Sequence, residues 1–122
     1  MKMKMPGYGL VAICLAFALS ATAARAHAYL DHASPLVGST VSAAPREVRL
    51  WFTQALEPQF SAAQLRSSAG AVVGTGHVDP GDPKQLVIPV RALPPGKYKV
   101  DWKILSVDTH RTEGSFGFEV KP

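Results

Sequence analysis

The chain has 122 residues, with 13 Lys and Arg against 9 Asp and Glu, four His, three Met and one Cys. That length supports one ordinary domain, and a formal charge of +4 suggests a basic protein until the charges are located. Lys2, Lys4 and Arg25 fall in the first 26 residues, so residues 27–122 carry ten basic against nine acidic side chains, which excludes a polybasic nucleic-acid or membrane face. In chain order, residues 1–26 read first as a secretory signal peptide. Lys2 and Lys4 precede an apolar run from Leu10 to Leu19, and Ala24, Arg25 and Ala26 supply the small-x-small pattern of a cleavage site. The run is too short to span a bilayer, so no membrane anchor is expected after cleavage. Ile13 is too bulky for the small residue that normally precedes a lipidated Cys such as Cys14. Cys14 and all three Met would leave with this segment, and a domain of residues 27–122 would begin at His27.

That domain has no disulfide, no Cys-based zinc site, no thiol nucleophile and no blue-copper thiolate. Its pattern is all-β. Val48, Leu50 and Phe52 alternate within Glu47 to Phe52, and short strands are predicted near Gln64 to Arg66, Ala71 to Val73 and Leu86 to Ile88. Tyr98, Val100, Trp102 and Ile104 alternate against Lys97, Lys99, Asp101 and Lys103; Phe116, Phe118 and Val120 alternate against Gly117, Glu119 and Lys121. Pro, Gly and Asp clusters separate these runs, including Ser68 to Gly70, Asp79 to Pro83 and Pro94 to Gly96. About seven short strands without a helical period predict a Greek-key β-sandwich or barrel of immunoglobulin-like, cupredoxin-like kind.

Chemistry concentrates at two places. Cleavage after Ala26 leaves a free α-amine on His27, and amine and imidazole of one residue can chelate one metal ion. The second place is Ser106 to His110. Asp108 and His110 are two residues apart, and in an extended segment that spacing puts both side chains on one side. Nitrogen-rich ligation with one carboxylate and no sulfur suits Cu(II) better than Zn(II), Mg(II) or Ca(II). Spacing alone leaves a hydrogen-bonded surface turn as the commoner role for such residues. Cleavage after Ala28 also satisfies the small-x-small rule and would discard His27.

Several motifs in order resemble the CopC family of periplasmic copper-binding proteins. They run from His27-Ala28-Tyr29-Leu30 through Leu50-Trp51-Phe52-Thr53, Gln59-Phe60-Ser61 and Gly81-Asp82-Pro83-Lys84. They continue through Gly96 to Trp102 and Ser106-Val107-Asp108-Thr109-His110, and close on Gly114-Ser115-Phe116 with Phe118. The resemblance implies one Cu(II) ion bound by His27, Asp108 and His110. It also implies periplasmic copper resistance or supply, and an inner-membrane partner of the CopD type. Some members add a carboxylate where this chain has Gln54, a neutral and poorer ligand. Members that also bind Cu(I) use a methionine-rich middle loop, whereas Arg66 to His77 contains no Met, so the resemblance is to a Cu(II)-only member.

Other residues receive plainer expectations. His32, five residues from His27, can supplement the site but is expected to hydrogen-bond near a strand entry, and His77 is expected to be an exposed loop residue with at most a weak metal contact. Trp51, Tyr98, Trp102, Phe116 and Phe118 are expected in the core. Ser106 and Thr109 can orient the ligands or simply shape the turn, and Glu113 is a candidate hydrogen-bond partner for an imidazole. The domain is not expected to be an enzyme. Two alternatives remain at this level: a copper-dependent oxidative enzyme built on paired histidines, and a metal-free immunoglobulin-like interaction module.

Overall fold

A computed structural model of the chain describes residues 28–122. The expected signal peptide and His27 lie outside the described residues. Within them the chain is almost entirely β: β1 (Leu30–Ser34), β2 (Thr40–Val41), β3 (Glu47–Phe52), β4 (Ala62–Ser67), β5 (Val72–Asp79), β6 (Asp82–Pro89), β7 (Gly96–Leu105) and β8 (Arg111–Val120). A 3-10 turn, Pro58–Phe60, precedes β4. No helix among the described residues is long and apolar enough to cross a membrane.

The strands form one curled sheet in the order β1-β3-β6-β5-β4-β7-β8-β2, antiparallel except for the parallel β2–β8 pair. The curl is made at β5. Its first half pairs with β4 through Gly74↔Leu65 and Gly76↔Ala63, and its second half pairs with β6 through His77↔Val87 and Val78↔Leu86. The expected sandwich or barrel is therefore present, with eight strands rather than about seven.

Alternation decides what is inside. Val48, Leu50 and Phe52 of β3 meet Leu86 and Ile88 of β6, and Tyr98, Val100, Trp102 and Ile104 of β7 meet Phe116, Phe118 and Val120 of β8. Each aliphatic or aromatic side chain so buried contributes about 1.5–3 kcal/mol relative to exposure. Phe52 and Trp102 pack edge to face at 5.1 Å, joining the two halves of the curl. On the outer face, Arg49 of β3 donates to Asp79 of β5 at 3.0 Å and to Gln85 of β6 at 2.8 Å. Arg49 thus ties β3 to the adjacent β6 and, one strand further on, to the corner strand β5.

Two sequence expectations are corrected. Trp51 is not in the core: it shares its parity with Glu47 and Arg49, is half-buried, and points outward. There the His32 ring of β1 stacks on it, 4.4 Å between centroids and 11° between planes. His77 is exposed, as expected, but stands on strand β5 rather than in a loop. Gly76 beside it is not a turn signal. A Cβ there would lie 2.6 Å from Ile88 Cγ1 and 2.8 Å from the Val87 carbonyl, so the close approach of β6 excludes a side chain.

Candidate metal centre

The turn between β7 and β8 carries Asp108 and His110. It is closed by backbone bonds from Ser106 N to the His110 carbonyl and from Thr109 N to the Ser106 carbonyl, both 2.9 Å. The segment after β3 straps it down: Leu56 bridges to Ser106, and the Val107 amide donates to the Ala55 carbonyl at 3.1 Å. As a result Ser106 is fully buried while Val107, Asp108, Thr109 and His110 remain exposed.

The buried hydroxyl organises the exposed pair. Ser106 Oγ donates to Asp108 Oδ1 and accepts from the His110 amide at 3.3 Å, and the His110 carbonyl lies 3.2 Å away. His110 Nδ1 stands 3.4 Å from Asp108 Oδ1, with the two side chains 45% and 40% exposed. Two donors bound to one ion at right angles, each ~2.0 Å from it, are ~2.8 Å apart, so a small side-chain adjustment is enough for shared ligation. The Ser106 hydrogen bond holds the Asp108 carboxyl below the usual carboxylate range; partial desolvation opposes this, and the hydrogen bond and charge of His110 assist it. The carboxylate is therefore ionised at neutral pH, the form that ligates metal.

The pair converges, as the two-residue spacing predicts, but not on an extended strand. Thr109, between the two residues, has φ = +71°, so the convergence is produced by a turn held in the left-handed region. Among the described residues no three His, Cys, Asp or Glu side chains gather into a metal site. Asp108 and His110 thus present two donor groups, a carboxylate oxygen and an imidazole nitrogen 3.4 Å apart.

The other candidates are dispersed. Gln54 is half-buried in the strap, between Thr53 and Ala55. Glu113 pairs with Lys103 Nζ at 4.0 Å across β7 and β8, which gives it a partner other than an imidazole. His32 Nδ1 lies 2.8 Å from Asp31 Oδ2, in keeping with its expected hydrogen-bonding role. The segment from Arg66 to His77 spans the end of β4 and most of β5.

Residues 28 and 29 meet this end of the molecule through contacts the sequence did not announce. Ala28 is fully buried, and its carbonyl accepts from Thr112 Oγ1 at 3.0 Å, two residues beyond His110. Tyr29 exchanges two bonds with Thr53: its amide donates to Thr53 Oγ1 at 2.9 Å and its carbonyl accepts from Thr53 N at 3.0 Å. These contacts link residues 24 and 84 positions apart, too far for any local motif to reveal.

A curled eight-stranded domain that displays an ionised carboxylate beside an imidazole on a strapped turn defines a small β-barrel protein suited to holding a metal ion at its surface. Residues 30–121 match the family model for the CopC domain, and the chain belongs to the CopC family. It is 41% identical over 110 residues to copper resistance protein C of Pseudomonas syringae pv. tomato, covering 80% of this chain and 83% of that one. It is 38% identical over 99 residues to protein YobA of Escherichia coli K12, covering 79% and 80%. Among solved structures it superposes on CopC from Methylosinus trichosporium OB3b with a TM-score of 0.74 at 33% identity, covering 79% of this chain and 95% of that one. PcoC, a methionine-rich copper resistance protein from Escherichia coli, superposes with a TM-score of 0.69 at 37% identity, covering 79% and 100%. The Pseudomonas syringae relative and PcoC are named for copper resistance, and the family is one of copper resistance proteins rather than of enzymes.

Proposed function

We propose that the protein is a periplasmic carrier of one Cu(II) ion. Its ligands are the amine and imidazole of His27, the carboxylate of Asp108 and the imidazole of His110. The observation that carries this reading is the Asp108–His110 pair, 3.4 Å apart on an exposed turn of a CopC-family chain. The donor chemistry suits Cu(II) rather than Cu(I): residues 27–122 contain no thioether or thiol, and Arg66 to His77 has no Met. The surface position of the pair suits exchange of the ion with an inner-membrane acceptor of the CopD type.

Export with cleavage after Ala26 fits the packing of Ala28. Ala28 belongs to the core, so processing after Ala28 would remove a buried residue and leave Tyr29 first. Intact mass of the exported protein tests this bond; a chain beginning at Tyr29 would remove His27 from the site. Copper titration of the processed protein tests the ligands. His110→Ala and His27→Ala are each expected to weaken Cu(II) binding on the order of 100-fold, since each removes a direct ligand. Unchanged affinity in both variants would sink the assignment.

A further inference from the structure

Residues 28 and 29 are each anchored by a threonine from a distant segment. Thr112 Oγ1 holds the Ala28 carbonyl at 3.0 Å, and Thr53 holds both backbone groups of Tyr29 at 2.9 and 3.0 Å. Both threonines belong to the segments that frame the Asp108–His110 turn. Thr112 follows His110 by two residues on β8 and pairs with Ile104 of β7. Thr53 begins the strap whose Ala55 carbonyl takes the Val107 amide. The peptide immediately after His27 is thus fastened to the two pieces of chain that fix the other proposed ligands.

We propose that Thr112 and Thr53 are positioning residues for copper capture. They form a clamp that fixes the first residues of the domain against the metal-binding turn before the ion arrives. The proposal rests on the reading of His27 as a ligand. A terminal chelating residue on a loose strand must be ordered when copper binds, and the fraction of molecules with the strand detached directly weakens the apparent affinity. Each hydroxyl bond lowers that fraction. The Ala28 side chain, seated in the core, limits slippage along the clamp.

The test uses the processed protein beginning at His27, with Thr112→Val and Thr53→Val to delete each hydroxyl at constant shape, and Thr112→Ser to restore one. Cu(II) affinity is measured by chelator competition, the Cu(II) EPR spectrum is recorded, and thermal midpoints are taken without copper. Each Val variant is expected to weaken binding by about 3- to 10-fold, the range one hydrogen bond supplies, and to replace a single EPR signal by a mixture. Thr112→Ser returns both to the parent values. Where Thr112→Val does not fold, Thr53→Val, which keeps its backbone bond to Tyr29, carries the test.

A lowered midpoint with unchanged affinity and spectrum would mean that the threonines only stabilise the fold, and the clamp would be refuted while the His27 reading stood. Equal affinity in the parent and His27→Ala would overturn both.

Discussion

The same five-residue backbone turn occurs twice among the described residues, and only one copy displays a carboxylate beside an imidazole. Between β4 and β5, Ser67 N bonds to the Ala71 carbonyl and Gly70 N to the Ser67 carbonyl; between β7 and β8, Ser106 N bonds to the His110 carbonyl and Thr109 N to the Ser106 carbonyl. All four bonds are 2.9 Å. The fourth residue is left-handed in both, Gly70 at φ = +88° and Thr109 at φ = +71°. The first turn projects freely, with Ser68, Ala69 and Gly70 exposed, and meets the steric demand with glycine. The second lies under the Leu56 strap, which buries its first residue and turns that serine hydroxyl toward Asp108 and His110. It also places a β-branched residue where L side chains are disfavoured, a strain that persists because the surroundings determine the turn. A common closure became a candidate metal site through the strap and the side chains, not through a different backbone.

Replacing the first serine of each turn gives the largest contrast. Ser106→Ala leaves the His110 amide and the Asp108 carboxylate without their buried partner, and is expected to cost about 1–3 kcal/mol in urea unfolding. Copper affinity should fall roughly 10-fold because Asp108 and His110 lose their common support. Ser67→Ala at the equivalent position should change stability by no more than ~0.5 kcal/mol. Equal effects in the two variants would show that the strap does not distinguish the turns.

The fourth position gives a smaller and opposite pair. Thr109→Gly relieves the left-handed strain and is expected to stabilise the copper-free domain by about 1 kcal/mol, whereas Gly70→Ala should destabilise it by about the same amount. A Cβ at Gly70 meets no atom within 4 Å, so its penalty is conformational rather than steric. Failure of Thr109→Gly to stabilise would assign the difference to the Thr109 hydroxyl, which donates to the Asp108 carbonyl and would then offset the strain.

The parts of this architecture that the sequence makes legible are those with one wet and one dry face. Val48, Leu50 and Phe52, and the run from Tyr98 to Ile104, alternate because every second residue is buried. Trp51 obeys the same rule with opposite parity; its size invites a core assignment that its position denies. Strand β5 has no such rhythm, since Val72, Val73, Thr75 and His77 are all exposed and its glycines are required by β6 rather than by a turn. The first half of β8 is similarly silent, because Arg111 to Ser115 bury no residue fully. Within the site, the approach of Asp108 to His110 is readable from their spacing. The burial of Ser106 and the anchoring of Ala28 to Thr112 are not, because each depends on segments far apart in the chain.

The smallest expected contrast between the two turns is their response to acid. The Ser67 to Ala71 turn holds no titratable side chain, whereas Asp108 has its pKa lowered from 3.8, first by the Ser106 hydroxyl and then by His110. A carboxyl depressed in the folded state contributes stability that is fully present above its unfolded pKa and is lost as pH falls through the folded value. Asp79, bonded to Gly81 and Arg49, and Asp82, bonded to Gln85 and Lys84, are lowered as well, so acid destabilises the domain through three carboxylates. Asp108→Asn removes one of them. The difference in unfolding midpoint between the copper-free parent and this variant should shrink as pH falls below about 4, where the unfolded carboxyl begins to protonate, and should vanish once pH has passed the lower folded value. A gap that persists undiminished into the acid would mean that Ser106 supports Asp108 equally well in its neutral form. The carboxylate would then owe its ionisation to its exposure rather than to the turn.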